Sequence, residues 1–184
     1  LVIAILTALS VATSVRGDER NKASNSKIVI FQFKDTSKTD EFAYYSFIIP
    51  DSIAAELKNR TSFDVRTHAV TIPYSKADDS EKSRQEHILY LSRKGKEFSA
   101  DYTISGSFEV KNNKILIKSQ LFHVESQKLS EIEGASDEIG VLIFSLIDSV
   151  TEKINHELVR MAKSKEGKKA PEAEEVASTR SPFL

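Results

Sequence analysis

The stretch over residues 100–134 constrains the fold most, because apolar and polar side chains alternate on both sides of a single Asn-Asn pair. Asparagine tolerates positive φ, which both central residues of a two-residue type I′ turn require. With Asn112 and Asn113 in that turn, apolar residues fall opposite one another, and a slip by one residue would scatter them. The sequence therefore predicts an antiparallel hairpin with the pairs Val110–Ile115, Phe108–Ile117, Gly106–Ser119 and Ile104–Leu121.

Three more strands are predicted around this hairpin. A second turn over 125–128, with a return through 129–134, makes the hairpin a three-strand meander. Residues 27–33 are almost continuously apolar and β-branched, which is typical of a strand buried on both faces. Residues 62–67 alternate and fit a short strand.

Two helices are predicted between these strands. The first covers 42–60 and contains Pro50, which cannot donate a backbone hydrogen bond. Pro50 therefore either stands in the first turn of the helix or kinks it. The second covers 80–95 and is weakly amphipathic, with Gly95 as its C-cap.

A third, longer helix is predicted to open at Asp137 and Glu138, whose negative charges suit the helix dipole. Its apolar residues recur mostly at spacings of three and four, so this helix is predicted to pack on the sheet. The stripe consists of Ile139, Leu142, Ile143, Leu146, Ile147, Val150, Ile154, Leu158 and Met161.

The predicted order is β-α-β-α-β-β-β-α. Long connections allow the first three strands to be parallel, while the meander is antiparallel. We therefore expect an α/β (α+β) two-layer sandwich, a mixed five-stranded sheet packed by about three helices. The predicted segments are a signal-peptide-like or anchor segment (1–17), a polar linker (18–26), the folded domain (27–162) and a disordered charged tail or linker (163–184).

The first fifteen residues carry no charge. A membrane-spanning helix needs roughly 20 apolar residues, whereas the apolar region of a secretory signal has about 7–15. The run therefore favours export. An uncleaved membrane anchor and a buried first element of the domain are the alternatives.

The chain has no cysteine, so it forms no disulfides, thiolate metal sites or cysteine nucleophile. Its four histidines lack any metal-binding spacing, and the carboxylate pairs Asp40-Glu41 and Asp78-Asp79 are interpreted as solvated loop charges. Gly106, in the middle of a strand, is interpreted as allowing close approach of a helix or another backbone. We therefore predict no catalytic, cofactor or metal site.

The charge pattern argues against nucleic-acid binding, because the formal net charge is −1 and the basic residues are dispersed. An aromatic segment is more informative, since four aromatics within six residues cannot all face one core. It consists of Phe42, Tyr44, Tyr45 and Phe47. These residues are candidates for contact with a partner, and packing in the core is the competing interpretation.

Several segments appear in an order that resembles TolB N-terminal-like domains. They are the strand IVIFQFKDTS, the helical segment YYSFIIPDSIAAEL, the strand FDVRT and the hairpin ADYTISGSFEVKNNKILIKSQLFHVESQKL. The most specific motif is Gly106-Ser107 preceded by Tyr102 and Ile104. The resemblance covers roughly residues 27–160, and Pro50 and the loop around Pro73 depart from the usual pattern.

This resemblance implies an α/β sandwich related to the CsgG-like, FlgO-like and LpoB-like envelope domains. Such domains act through protein contacts rather than catalysis, so it implies no cofactor and no catalytic residue. The propeller of full TolB is missing, and the lack of cysteine departs from the lipoprotein members.

The leading hypothesis is an exported, non-catalytic protein-interaction or assembly domain of the bacterial envelope, periplasmic or envelope-associated. Its partners would be envelope or outer-membrane proteins, with membrane association through residues 1–15 if these stay uncleaved. One alternative is an envelope module that binds a small ligand or glycan. Another is a hydrolase whose site is assembled from separated loops, using Asp35, Asp40 or His68.

Overall fold

The computed structural model describes residues 26–72, 81–136, 139 and 142–166. The predicted segment 1–17, the loop around Pro73 and most of the segment 163–184 lie outside these residues. None of the described helices is both long enough and apolar enough to cross a membrane. The element order is the predicted one: β1 (Lys27–Asp35), a short 3-10 turn (Asp40–Phe42), α1 (Tyr45–Arg60), β2 (Asp64–Thr71), α2 (Glu81–Glu97), β3 (Tyr102–Lys111), β4 (Lys114–His123), β5 (Lys128–Ser136) and α3 (Leu142–Glu166).

The strands form one mixed five-stranded sheet in the order β2-β1-β3-β4-β5. β1 is parallel to both of its neighbours, β2 and β3, whereas β3, β4 and β5 are antiparallel in sequence. The predicted mixed sheet with three helices is confirmed. The β-branched composition of β1 suits its place, because four of its first five residues are buried.

The predicted hairpin register is confirmed at every predicted pair, from Val110–Ile115 to Ile104–Leu121. Asn112 and Asn113 have φ values of 52° and 61°, the left-handed conformation that a two-residue turn requires. The second turn lies just before Lys128, which pairs with His123. Gln127 also has a positive φ, of 53°, and closes this turn.

Helices α1 and α3 cover one face of the sheet and enclose the larger core. From α3 this core receives Ile143, Leu146, Ile147, Val150, Ile154, Leu158 and Met161, as the predicted stripe requires. Two members of the predicted stripe are not among the buried residues of the helix. Ile139 lies in a bend before the helix, and Leu142 is 45% exposed. The helix begins at Leu142, and Asp137 and Glu138 lie outside the described residues.

Gly106 allows a close approach on this face, as predicted. One extra residue in β1 shifts the pairing between Ile30–Ile104 and Phe33–Gly106. The shift turns Phe33 toward α1 and α3, where its ring lies over Gly106. A Cβ at position 106 would overlap that ring and the carbonyl oxygen of Lys118.

Helix α2 packs on the opposite face, over a smaller core that contains Val29, Phe31 and Phe122. Its described buried residues are Leu91, Ser92 and Gly95. The prediction of Gly95 as C-cap is wrong, because the helix continues to Glu97 and Gly95 lies against Val124.

Ser99 takes the C-cap position instead. It has a φ of 51°, and the amides of Ser99 and Ala100 donate to the carbonyls of Lys96 and Gly95. These two bonds form the Schellman motif. Tertiary contact with Val124, just after β4, and with Thr103 of β3 therefore explains the glycine at position 95, rather than turn chemistry.

Pro50 lies inside α1, in its second turn, and is buried. Since proline lacks an N–H, the carbonyl of Ser46 receives no hydrogen bond from position 50. The neighbouring turn is intact, with the amides of Phe47 and Ile48 both donating to the Tyr44 carbonyl.

Candidate functional site

The aromatic segment that the sequence singled out divides between core and surface. Tyr45 is 5% exposed and Phe42 is half-buried, whereas Tyr44 and Phe47 are 49% and 55% exposed. The split follows from helix geometry, because successive positions around Tyr45 point about 100° apart. The structure therefore leaves Tyr44 and Phe47 as the two members of the segment that are available to a partner.

Tyr45 anchors the start of α1 to the sheet. Its ring packs edge-on against Phe108 of β3 at 6.1 Å between centroids and is stacked with Phe42 at 6.1 Å. Burial, together with a hydrogen bond to the Tyr44 side chain, raises the pKa of Tyr45 from 10.0 to about 12. Tyr45 is thus a neutral core residue that holds Tyr44 in place at a ring distance of 4.3 Å.

Two further exposed apolar side chains, Leu142 and Phe144, lie in the first turn of α3 and are 45% and 57% exposed. Helices α1 and α3 begin at the same end of the sheet, because β1 and β5, which precede them, run in the same direction. We call Tyr44, Phe47, Leu142 and Phe144 the apolar rim. The other large apolar side chains exposed in the described residues, Leu89 and Val159, lie within α2 and α3 away from the helix starts.

The α3 half of the apolar rim differs from the prediction. The spacing places Leu142 in the buried stripe and gives Phe144 no role. A signal was available, because Phe144 follows Ile143 directly and stands outside the three-four spacing. An apolar residue off the stripe at a helix start is a candidate for an exposed contact.

The apolar rim can stabilise a complex by removing apolar surface from water. A fully buried aromatic side chain removes about 150–250 Å². Covering the exposed half of one such ring therefore contributes roughly 2 kcal/mol before the costs of association. These four side chains are exposed at the starts of the two helices, and we treat each as a candidate contact with a partner.

The three residues considered for a hydrolase lie in separate environments. A carboxylate oxygen of Asp35 accepts a hydrogen bond from the Ser37 amide at 2.7 Å, as in a local turn. Asp40 is exposed in the short 3-10 turn. His68 is on β2, and its ring lies beside that of Phe98 with 4.0 Å between the centroids. In the sheet it pairs with Phe31, which is about 10 Å or more from Asp35 along β1. His68 and Asp35 therefore lie apart on the sheet and form no common site.

The histidines in the described residues have structural or surface positions. His123 pairs with Tyr102, with ring centroids 4.8 Å apart, and its Nδ1 is 2.6 Å from the Ser126 hydroxyl. His87 of α2 contacts the Gln120 side chain of β4 at 2.8 Å. In the described parts of the chain, no three His, Asp or Glu side chains are grouped as a metal site.

A groove of about 630 Å³ lies between β5 and α3, lined by residues 130–133 of the strand and by side chains within 149–160 of the helix. Glu157 is one of its lining residues and accepts hydrogen bonds from Arg160 and from the Ser130 hydroxyl, the latter at 2.6 Å. The Arg160 guanidinium is the main cause that lowers the pKa of Glu157. Glu157 is therefore ionised at neutral pH and unsuited to act as a general acid.

No protein-family model matches the sequence, and no curated protein matches it. Among solved structures, the LpoB C-terminal domain from Salmonella enterica is 13% identical, with 62% of this chain and 84% of that chain covered and a TM-score of 0.41. The lipoprotein GNA1162 from Neisseria meningitidis is 14% identical, with 71% and 96% covered and a TM-score of 0.45. TolB from Acinetobacter baumannii is 15% identical, with 59% and 22% covered and a TM-score of 0.33.

Proposed function

We propose that this chain is a non-catalytic protein-interaction domain, exported to the bacterial cell envelope, that binds a partner protein through the apolar rim. The observation that carries the proposal is the exposure of Tyr44, Phe47, Leu142 and Phe144, which lie at the starts of the two helices of one layer. Aromatic side chains are common anchors of protein interfaces. The rim also contains two of the four aromatics that the sequence offered as partner contacts.

Export is proposed from the sequence alone. The uncharged run over residues 1–15, followed by a polar stretch, has the length of a secretory signal. The motifs that resemble TolB N-terminal-like domains lead to the same compartment. We accordingly place the partner among envelope or outer-membrane proteins.

Site-specific photo-crosslinking tests the interaction. A photoreactive phenylalanine analogue is placed at Tyr44, Phe47 or Phe144, and the matched controls carry it at Leu89 or Val159, whose exposures bracket those of the rim but which lie outside it. In envelopes of the native bacterium, we expect the same discrete adduct from all three rim positions and none from the controls. Adducts of equal yield at rim and control positions, or none at the rim, would contradict the proposal.

Cell fractionation tests the compartment separately. The full chain with a C-terminal epitope is expected in the periplasmic or membrane fraction. Replacing Ile5 and Leu6 with arginine breaks the apolar run and is expected to hold the chain in the cytoplasm. A cytoplasmic location of the unaltered chain would rule out export.

A further inference from the structure

Several lysines that are far apart in the sequence come together at one end of the sheet. At this end β1, β2, β3 and β5 begin and β4 ends. Lys27 pairs there with Asp64, His123 pairs with Lys128, and the amide of Asp101 donates to the carbonyl of Lys27. The first residues of four strands therefore lie at one level of the sheet.

The three helices end at the same end of the sheet. Helices α1 and α2 each lead within five residues into the start of the next strand. Helix α3 is antiparallel to β5, because Glu133 contacts Lys153 whereas Ser130, nearer the start of β5, contacts Glu157. The helix continues for nine residues after Glu157, which is about 13 Å. The end of α3 therefore reaches the level at which β5 starts.

Four exposed lysines at this end form no ion pair within the described residues, and they come one each from α1, α2, β5 and α3. They are Lys58, Lys96, Lys128 and Lys163. Lys27 of β1 joins them, because its ammonium donates to an uncharged group, the carbonyl of Phe98, at 2.6 Å. We call these five lysines the basic end.

The carboxylates at this end do not neutralise the basic end. Four of them are held by other cations, in the pairs Arg60–Glu56, Arg66–Asp64, Lys94–Glu97 and Arg160–Glu157. Lys128 also attracts Glu157, which Arg160 already holds. Among the described residues, two further carboxylates lie at this end, those of Asp101 and Glu125. Five lysines against two carboxylates leave a net positive charge.

Helix electrostatics explains only part of this arrangement. Lysine in the last turn of a helix is favoured by the helix dipole, which accounts for Lys58 and Lys96. Lys27 and Lys128 are the first residues of two strands, so the dipole gives no reason for their charges. Five positive charges from five elements at one end of the domain form a surface that favours an anionic partner.

The apolar run over residues 1–15 connects to this same end, because β1 begins at Lys27. Residues 16–26 lie between the run and β1, and eleven residues span at most about 40 Å. A bilayer that holds the apolar run is therefore within reach of the basic end. The apolar rim lies at the opposite end, where α1 and α3 start.

We propose that the basic end binds the anionic surface of a lipid bilayer, with the starts of α1 and α3 directed away from it. The ammonium groups contact the lipid phosphates, and each basic side chain near an anionic surface raises the affinity roughly fivefold. The apolar rim stays accessible in this orientation. The proposal does not depend on the partner protein of the rim, because the two surfaces share no residue.

Vesicle binding tests the proposal. The full chain is sedimented with vesicles of phosphatidylcholine alone and with vesicles in which one third of the lipid is phosphatidylglycerol. We expect at least tenfold tighter binding to the anionic vesicles. This preference should fall at least fivefold between 0.1 M and 1 M salt, because the Debye length shortens from about 10 Å to about 3 Å. Equal binding to both vesicles, or a preference that salt does not change, would overturn the proposal.

Two quadruple variants locate the binding surface. The first removes exposed charges of the basic end, by Lys58→Gln, Lys96→Gln, Lys128→Gln and Lys163→Gln. The matched control removes the same number of exposed lysines toward the opposite end, by Lys34→Gln, Lys38→Gln, Lys82→Gln and Lys111→Gln. We expect the first variant to bind the anionic vesicles at least tenfold more weakly than the native chain and the control less than threefold. Equal losses would show that net charge alone decides binding and would overturn the proposal.

A fluorescent label tests the orientation. The chain has no cysteine, so a single introduced cysteine carries an environment-sensitive dye at one position. Asn59→Cys places the dye in the last turn of α1, and Thr39→Cys places it just before the 3-10 turn; both positions are exposed. We expect the anionic vesicles to shift the emission of the dye to the blue at position 59 and to leave it unchanged at position 39. Equal shifts, or a shift at position 39 alone, would overturn the orientation.

An acidic protein is the competing occupant of the basic end. Polyglutamate is the probe for it, and we expect it to bind the full chain at least tenfold more weakly, per charge, than the anionic vesicles. Binding as tight as that of the vesicles would assign the basic end to an acidic protein instead. Loss of the crosslinks at the apolar rim would leave all of these results unchanged, so the two proposals can fail separately.

Discussion

The two faces of the sheet differ in how many apolar residues are buried on them. Under α1 and α3, a cluster of 23 buried apolar residues joins all five strands to both helices. Under α2, the cluster contains seven, and α2 itself contributes only Leu91 to it among the described residues. Since burial of apolar surface is the main source of stability, we infer that the α1–α3 layer holds the fold together. Helix α2 is attached to a sheet that is already stabilised from the other side.

The largest expected effect comes from matched core truncations on the two faces. Leu158 of α3 and Leu91 of α2 are both fully buried. We expect Leu158→Ala to lower the free energy of unfolding by about 4 kcal/mol and Leu91→Ala by about 2 kcal/mol, because a thin layer collapses more readily around a cavity. Urea denaturation measures both values, and a larger loss at Leu91 would reverse the comparison.

The second effect concerns two buried glycines. A Cβ at Gly106 would meet backbone and a core ring, whereas one at Gly95 would meet the methyl groups of Val124. We expect Gly106→Ala to cost about 3 kcal/mol. Gly95→Ala should cost less than about 1 kcal/mol, because α2 can shift and alanine favours a helix over glycine. Thermal and urea unfolding of both variants measure the difference, and equal losses would show that α2 is as rigidly held as the strands.

The third effect depends on pH and belongs to the α1–α3 face. The pKa of Tyr45 is about 12 in the folded protein, above its ordinary value of 10.0, so folding favours the protonated hydroxyl. The contribution of this hydroxyl to the free energy of unfolding is fully present below pH 10 and is lost as the pH rises from 10 to 12. The loss is on the order of 2 kcal/mol. Unfolding measured across this window should show the loss in the native chain and in Tyr90→Phe, a control on α2. Tyr45→Phe should lack it, and an identical alkaline loss in Tyr45→Phe would contradict this account.

The smallest expected effect is a gain in stability at the end of α2, on the face with the smaller core. Ser99 has a φ of 51° at the end of α2, a conformation that glycine adopts without strain. We expect Ser99→Gly to stabilise the protein by about 0.5–1 kcal/mol. Ser99→Ala retains the strain and is the control. No gain from glycine over alanine would show that the end of α2 does not limit stability.

The elements that the sequence predicted well depend on local rules. Asn112 and Asn113 fix the turn, and a period of two then fixes every pair of the β3–β4 hairpin. The stripe of α3 from Ile143 to Met161 follows likewise from a period near 3.6. The C-cap of α2 was predicted wrongly because glycine serves two purposes, backbone freedom and close packing, and Gly95 serves the second.

The candidate sites were less predictable than the fold. The sequence indicated that some aromatics of the segment 42–47 stay exposed, but it did not indicate which ones. Tyr44 and Tyr45 are adjacent tyrosines, and only the packing of α1 on the sheet turns Tyr45 toward β3 and leaves Tyr44 exposed. The groove between β5 and α3 had no signal in the sequence at all. Its two walls are about twenty residues apart in the chain, and its charges are ordinary surface residues when considered one at a time.

The sequence by itself determined the strand register, the element order and the buried stripe of α3, because turn chemistry and side-chain period act between near neighbours. Only the tertiary structure decided which helix starts share one end of the sheet, which strand is left at the edge, and which aromatics of the segment 42–47 are buried. Those outcomes depend on how distant elements pack, since the burial and pairing of a side chain are set by the residues that surround it in space.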